Sequence, residues 1–140
     1  MNSPSIRKAY VDSDAGQLHF RYVKVLGASE LEPLVLLTAE TAGSRALEPL
    51  MLALGATRSL FAFDAPEGVT SERCADLFRV ALDGVAIDGF HLWADRSGAP
   101  IAHALAAQLP TRCRSKYFES ADPQAFVTNL SSIIGHHSGP

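Results

Sequence analysis

Leu18, Phe20 and Tyr22 alternate with His19 and Arg21, the period-two pattern of a half-exposed strand. Leu34 to Leu37 is an unbroken apolar run, which fits a strand buried on both faces of a sheet. The period then changes. Leu47, Leu50, Met51 and Leu54 fall at i, i+3, i+4 and i+7, one stripe of a helix ended by Gly55, with Pro49 tolerated in its first turn. Leu60 to Phe63 reads as a second buried strand, closed by the turn-forming run Asp64 to Gly68. Cys74, Leu77, Phe78, Ala81, Leu82 and Val85 form the next helical stripe, with Thr70 and Ser71 as candidate caps. Phe90 to Ala94 is strand-like, and Ile101, Ala102, Leu105, Ala106 and Leu109 continue as a helix opened by Pro100. Ser115 to Phe118 reads as a further strand. Asp122 and Pro123 then look like a cap and first helical residue, followed by the stripe Phe126, Val127, Leu130, Ile133 and Ile134, ending at Gly135. The tail from His136 to Pro140 reads as frayed.

Strands alternating with helices predict an α/β fold: a mostly parallel sheet of about six strands flanked by helices. The chain of 140 residues suits a single domain, 1–140, with one core and no linker or repeat. A formal net charge of −3 gives no electrostatic case for nucleic acid or an anionic membrane. No apolar run reaches the length of a membrane span, and Met1 to Tyr10 lacks the apolar core of a secretory signal. Cys74 and Cys113 lie far apart and show no metal-type spacing, which predicts buried free thiols, a cytoplasmic setting, no metal and no cofactor.

The segment His91 to Leu109 carries the most specific wording. It resembles the strand, sharp turn and helix that hold the nucleophile of the α/β-hydrolase superfamily, the G-x-S-x-G elbow. Laid on that pattern, Ala94 and Gly98 are the small flanking residues and Arg96 occupies the nucleophile position. Two further stretches support the resemblance: Leu36 to Arg45, and Phe63-Asp-Ala-Pro66. Leu47-Glu-Pro-Leu50 is similar to the wording that opens the family's first helix. The resemblance covers Arg7 to Phe118 and implies the N-terminal half of that fold: two early strands, then strands alternating with helices through the elbow.

Four departures from the family argue against ordinary triad hydrolysis. An arginine at the nucleophile position stays protonated and has no lone pair to offer. The His-Gly pair that usually ends the third strand is Thr38-Ala39 here. The resemblance places Glu40 where the family donates an oxyanion-hole N–H, and a carboxylate there opposes a developing oxyanion. The family's last strands, its final histidine and its lid insertion have no counterpart in the sequence.

These departures set the candidate residues. Arg96 and Glu40 are read as a ligand-binding pair at neighbouring strand ends, either paired with one another or with Arg96 holding a small anion. The competing reading has Arg96 pointing to solvent from a relaxed elbow. Ser97 and Asp95 are the candidate nucleophiles. A triad of Ser97, Asp122 and either His136 or His137 follows the Ser-Asp-His order; helix capping competes for both Ser97 and Asp95. Asp64 is read as a loop anchor, His91 and His103 as structural, and His19 as solvent-facing. Trp93 is read as packing beneath a helix. The function expected is that of a catalytically degenerate hydrolase-like protein acting by binding or assembly, as a homodimer joined through Ser115 to Phe118 or through the last helix. An esterase or thioesterase with an unusual site, and a binder of small anions through Arg96, are the alternatives.

Overall fold

The computed structural model describes residues 5–14, 16–24, 31–39, 43–55 and 58–118. Their elements run β1 (Arg7–Ser13), β2 (Gly16–Val23), β3 (Leu34–Thr38), a 3₁₀ turn (Gly43–Leu47) leading into α1 (Glu48–Leu54), β4 (Leu60–Asp64), α2 (Ser71–Gly84), β5 (Phe90–Ala94), α3 (Ala99–Gln108) and β6 (Cys113–Phe118). The strands make one six-stranded sheet in the order β1-β2-β4-β3-β5-β6. β3, β4, β5 and β6 run parallel, whereas β1 pairs with β2, and β2 with β4, antiparallel. The expected α/β architecture with a mostly parallel sheet is therefore present.

The handedness of the crossovers decides where the helices sit. A β-α-β connection is right-handed in nearly every sheet. The step from β3 to β4 runs one way along the sheet, and the steps from β4 to β5 and from β5 to β6 run the other way. Accordingly α1 covers one face, while α2 and α3 cover the opposite one. On the α1 face, Leu34, Leu36, Leu60, Ala62 and Trp93 pack against Leu47, Leu50, Met51 and Leu54. On the other face, Phe63 and Phe78 stack with ring centroids 5.2 Å apart at the centre of a larger apolar cluster. The two-sided burial of β3 and β4 explains their unbroken apolar runs.

β1 is the strand whose own pattern is hardest to read. It is mostly exposed, and only Ala9 and Val11 pack inward. Pairing with β2 fixes it, in a register from Arg7 opposite Tyr22 to Ser13 opposite Gly16. The reversal needs Gly16, whose φ of +103° no L side chain adopts comfortably.

Local chemistry sets the helix ends as expected. The Thr70 hydroxyl accepts the Arg73 N–H at 3.1 Å and caps α2, while Pro49 and Pro100 stand in the first turns of α1 and α3. Asp64 is a loop anchor: its carboxylate accepts the Ser44 N–H at the start of the 3₁₀ turn. Gly43, at a φ of +62°, leaves room for that carboxylate, which a Cβ would strike. The Arg21 guanidinium ties β2 to this corner through Glu48 (2.8 Å) and Ser44 (2.7 Å). Of the two thiols, Cys74 is buried but Cys113 is only half-buried, because β6 presents alternate residues to solvent. Burial pushes both thiols above the ordinary cysteine range. Among the described residues no helix is long and apolar enough to cross a membrane.

Replacing Phe63 by Ala removes a fully buried ring from both the sheet and the α2 contact. Urea unfolding should show a loss of about 3–5 kcal/mol.

Candidate functional site

The crossover direction reverses between β3 and β5, at whose carboxyl ends open α/β sheets place their ligands. These two strands are neighbours, with Leu37 opposite Ala94. The chain therefore brings Thr38 and Ala39 to the rim beside Asp95, Arg96, Ser97 and Gly98.

Asp95 is the hub of this rim. Its N–H donates to the Leu37 carbonyl at 3.3 Å, extending the strand pairing by one step. One carboxylate oxygen, Oδ1, accepts the Ser97 hydroxyl at 2.6 Å and the Gly98 N–H at 2.8 Å. The other, Oδ2, accepts the Thr38 hydroxyl at 2.6 Å. Ser97 Oγ in turn accepts the Ala39 N–H at 2.9 Å and stands 3.2 Å from the Thr38 hydroxyl. Hydrogen bonds to an ionised oxygen are short and stronger than neutral ones. The result is a clasp joining the end of β3, the end of β5 and the start of α3.

Neither capping candidate caps α3, whose N-cap is Gly98 with no side-chain hydrogen bond to the first helical N–H groups. Gly98 donates to both the backbone and the side chain of Asp95, and Ala102 donates to the Gly98 carbonyl at 3.0 Å. Asp95 thus closes the turn that precedes α3, and Ser97, the other capping candidate, bonds Asp95 and Ala39 instead. Gly98 is buried against the backbone of Leu37 and Thr38, and a Cβ there would overlap the Leu37 carbonyl. That close approach is the physical reason for a residue without a side chain at this point.

Arg96 lies between these fixed residues with its side chain exposed. It makes no hydrogen bond or ion pair among the described residues. Nor does it hold the strained conformation of a nucleophile elbow. Among the described residues other than glycine only Ala86 has a positive φ, so the turn from Asp95 to Gly98 is relaxed. Glu40, the expected partner of Arg96, lies outside the described residues, as do Asp122, His136, His137 and the predicted helix from Phe126 to Ile134.

The remaining histidines stand away from the clasp. His91 Nδ1 is 2.5 Å from the Ser115 hydroxyl, on the α1 face near the start of β5. The His103 ring stacks on Phe118 at 4.7 Å. His19 is exposed beside Tyr10, and Trp93 is buried in the α1-side cluster. Neither Ser97 nor Asp95 bonds to a histidine among the described residues, and no group of three metal-ligating side chains occurs among them.

Sequence reading singled out Asp95 and Ser97 but missed that Thr38 and the Ala39 N–H complete their bonding. A hydroxyl at the end of one buried strand and a carboxylate just past the end of its neighbour are the signal that was there. Substituting Gly98 by Ala should lower stability by about 1–3 kcal/mol through overpacking, whereas Arg96→Ala should stay within about 0.5 kcal/mol of wild type. Thermal or urea unfolding of the two variants checks this.

The sequence matches no protein-family model and no curated protein. Solved structures do resemble it. Cfl2 from Burkholderia cenocepacia superposes with a TM-score of 0.71 at 23% identity, over 81% of this chain and 40% of that one. The epoxide hydrolase CorEH gives a TM-score of 0.72 at 16% identity, over 94% of this chain and 50% of that one. The haloalkane dehalogenase DatA from Agrobacterium tumefaciens C58 gives 0.67 at 20% identity, over 81% and 40%. The chain thus spans half the length of these structures or less. The sheet order, the face assignment of the helices and these superpositions together establish that this chain has the α/β-hydrolase fold.

Proposed function

We propose that the chain is a catalytically degenerate α/β-hydrolase-like domain that acts by binding or assembly, as a homodimer in the cytoplasm. The observation that carries this reading is the commitment of the Ser97 hydroxyl. Its proton goes to Asp95 at 2.6 Å and its lone pair receives the Ala39 N–H at 2.9 Å. A serine nucleophile needs a base that takes its proton as it attacks, and in the triad that base is a histidine held by an acid. Asp95, the other candidate nucleophile, has both oxygens engaged by hydrogen bonds from Thr38, Ser97 and Gly98. Free thiols at Cys74 and Cys113 support a reducing compartment.

CorEH and DatA are an epoxide hydrolase and a haloalkane dehalogenase. Those activities belong to chains of which this one spans half or less, and they are not carried over. A second reading rests on Arg96. An exposed guanidinium at the carboxyl ends of β3 and β5 is suited to a small carboxylate or phosphate, which it binds through two parallel N–H donors.

Wild type, Ser97→Ala and Asp95→Ala should hydrolyse p-nitrophenyl acetate and a short acyl thioester no faster than buffer. Turnover by wild type that disappears in either variant would overturn the degenerate reading. Thermal shifts with acetate and inorganic phosphate test the second reading: a shift present in wild type and absent in Arg96→Ala supports it, and equal responses dismiss it.

A further inference from the structure

Three aromatic rings share one patch of the α2 face of the sheet, near the amino-terminal end of β4. Tyr22 of β2 stands directly opposite Phe61 of β4, with the rings inclined by 13° and their centroids 6.0 Å apart. Phe20 completes a triangle, 5.9 Å from Tyr22 and 6.4 Å from Phe61. α2 covers the other end of β4, where Phe78 stacks on Phe63, and its last turn leaves Tyr22 half-buried. Between this floor, β1 and the end of α2 lies a cavity of about 430 Å³. Small-molecule sites run from about 300 to 1,000 Å³ and are mostly apolar, with a few polar groups that orient the ligand.

One wall of the cavity is small for no reason that the fold supplies. Gly84 and Val85, at the end of α2, form this wall, and Ala9 of β1 lies across from it. Gly84 does not adopt a positive φ, and a Cβ on it would meet only Val11 Cγ1, at an ordinary 3.8 Å. Neither backbone nor packing demands a glycine there, and a glycine weakens a helix relative to alanine. What it does is keep the cavity open.

The charges around the opening have one sign. Lys24 is the only charged side chain among the described residues that line the cavity, and it is exposed. Arg7 pairs with Tyr22 and stands two residues from Ala9, so strand alternation puts it on the same face. Neither cation makes an ion pair among the described residues. Asp83, the acid next to Gly84, is bound by Arg112 at 2.9 Å.

We propose that this cavity binds a small aromatic carboxylate, with its ring on Phe20, Tyr22 and Phe61 and its carboxylate against Lys24. Aromatic rings pack on one another in offset and edge-to-face arrangements, which a floor of three differently tilted rings offers. An ammonium holds a carboxylate by a charge-assisted hydrogen bond, and Lys24 and Arg7 together repel a cationic ligand. The site is distinct from the anion reading of Arg96, which lies at the opposite, carboxyl-terminal end of the parallel strands.

A titration of the full chain with 2-naphthoate, followed by amide NMR shifts, tests the inference. Wild type should show saturable shifts at Gly84, Val85 and Ala9. Lys24→Glu, at an exposed position, should weaken binding about tenfold, and 2-naphthamide, which lacks the charge, should bind wild type more weakly than the acid. Gly84→Leu should fill the cavity and abolish the shifts with no fall in melting temperature, because leucine favours the helix. Arg96→Ala should bind as wild type does. No saturable shift at these amides, or equal binding by Lys24→Glu and Gly84→Leu, overturns the inference. Loss of binding in Arg96→Ala also overturns it, by moving the ligand to the other end of the sheet. Decanoate binding more tightly than 2-naphthoate would overturn the choice of an aromatic ligand.

Discussion

The carboxylate of Asp95 holds the centre of this molecule together. It accepts hydroxyls from Thr38 and Ser97 and the N–H of Gly98, and so binds three chain segments that the sheet topology brings to one point. In a catalytic elbow the same point is kept strained and open, with a nucleophile aimed outward. Here the polar groups satisfy one another, the backbone relaxes, and the side chain left facing outward is an arginine. These bonds join β3, β5 and the start of α3. The proposal of a binding or assembly role follows from that chemistry.

The joint depends on packing as much as on hydrogen bonds. Only a residue without a Cβ can sit where Gly98 meets β3, and that contact brings the Asp95 turn close enough for Thr38 and Ala39 to reach it. Beneath it, the ends of β3 and β5 are buried from both faces. The crossover reversal is a property of the whole sheet and does not depend on the residues at the strand ends, which is why one architecture hosts many functions.

Much of the fold was legible in the sequence because its signals are periodic. The apolar runs of β3 and β4 and the stripes of α1, α2 and α3 each report a buried face directly, and the prolines and Gly55 mark helix ends. β1 was not legible in the same way, since a mostly exposed edge strand takes its identity from its partner rather than from its own alternation. At the candidate site, sequence located Asp95, Arg96, Ser97 and Gly98 through the wording of the elbow. It did not show that Asp95 and Ser97 would bond to Thr38 and Ala39 and leave α3 without a side-chain cap, because that depends on where contact with β3 draws the turn. Those contacts span nearly sixty residues of sequence and exist only once β3 and β5 are side by side.

A double-mutant cycle between Thr38→Val and Asp95→Ala measures the clasp most directly. Both partners lose a charge-assisted hydrogen bond while the strand cores stay intact. If the clasp holds the strand ends together, the two losses in unfolding free energy should be coupled by about 1–3 kcal/mol, within the range for residues in one network. Additivity to within about 0.5 kcal/mol would contradict the account, because it would mean that Thr38 and Asp95 act independently and that the strand ends are joined by something else.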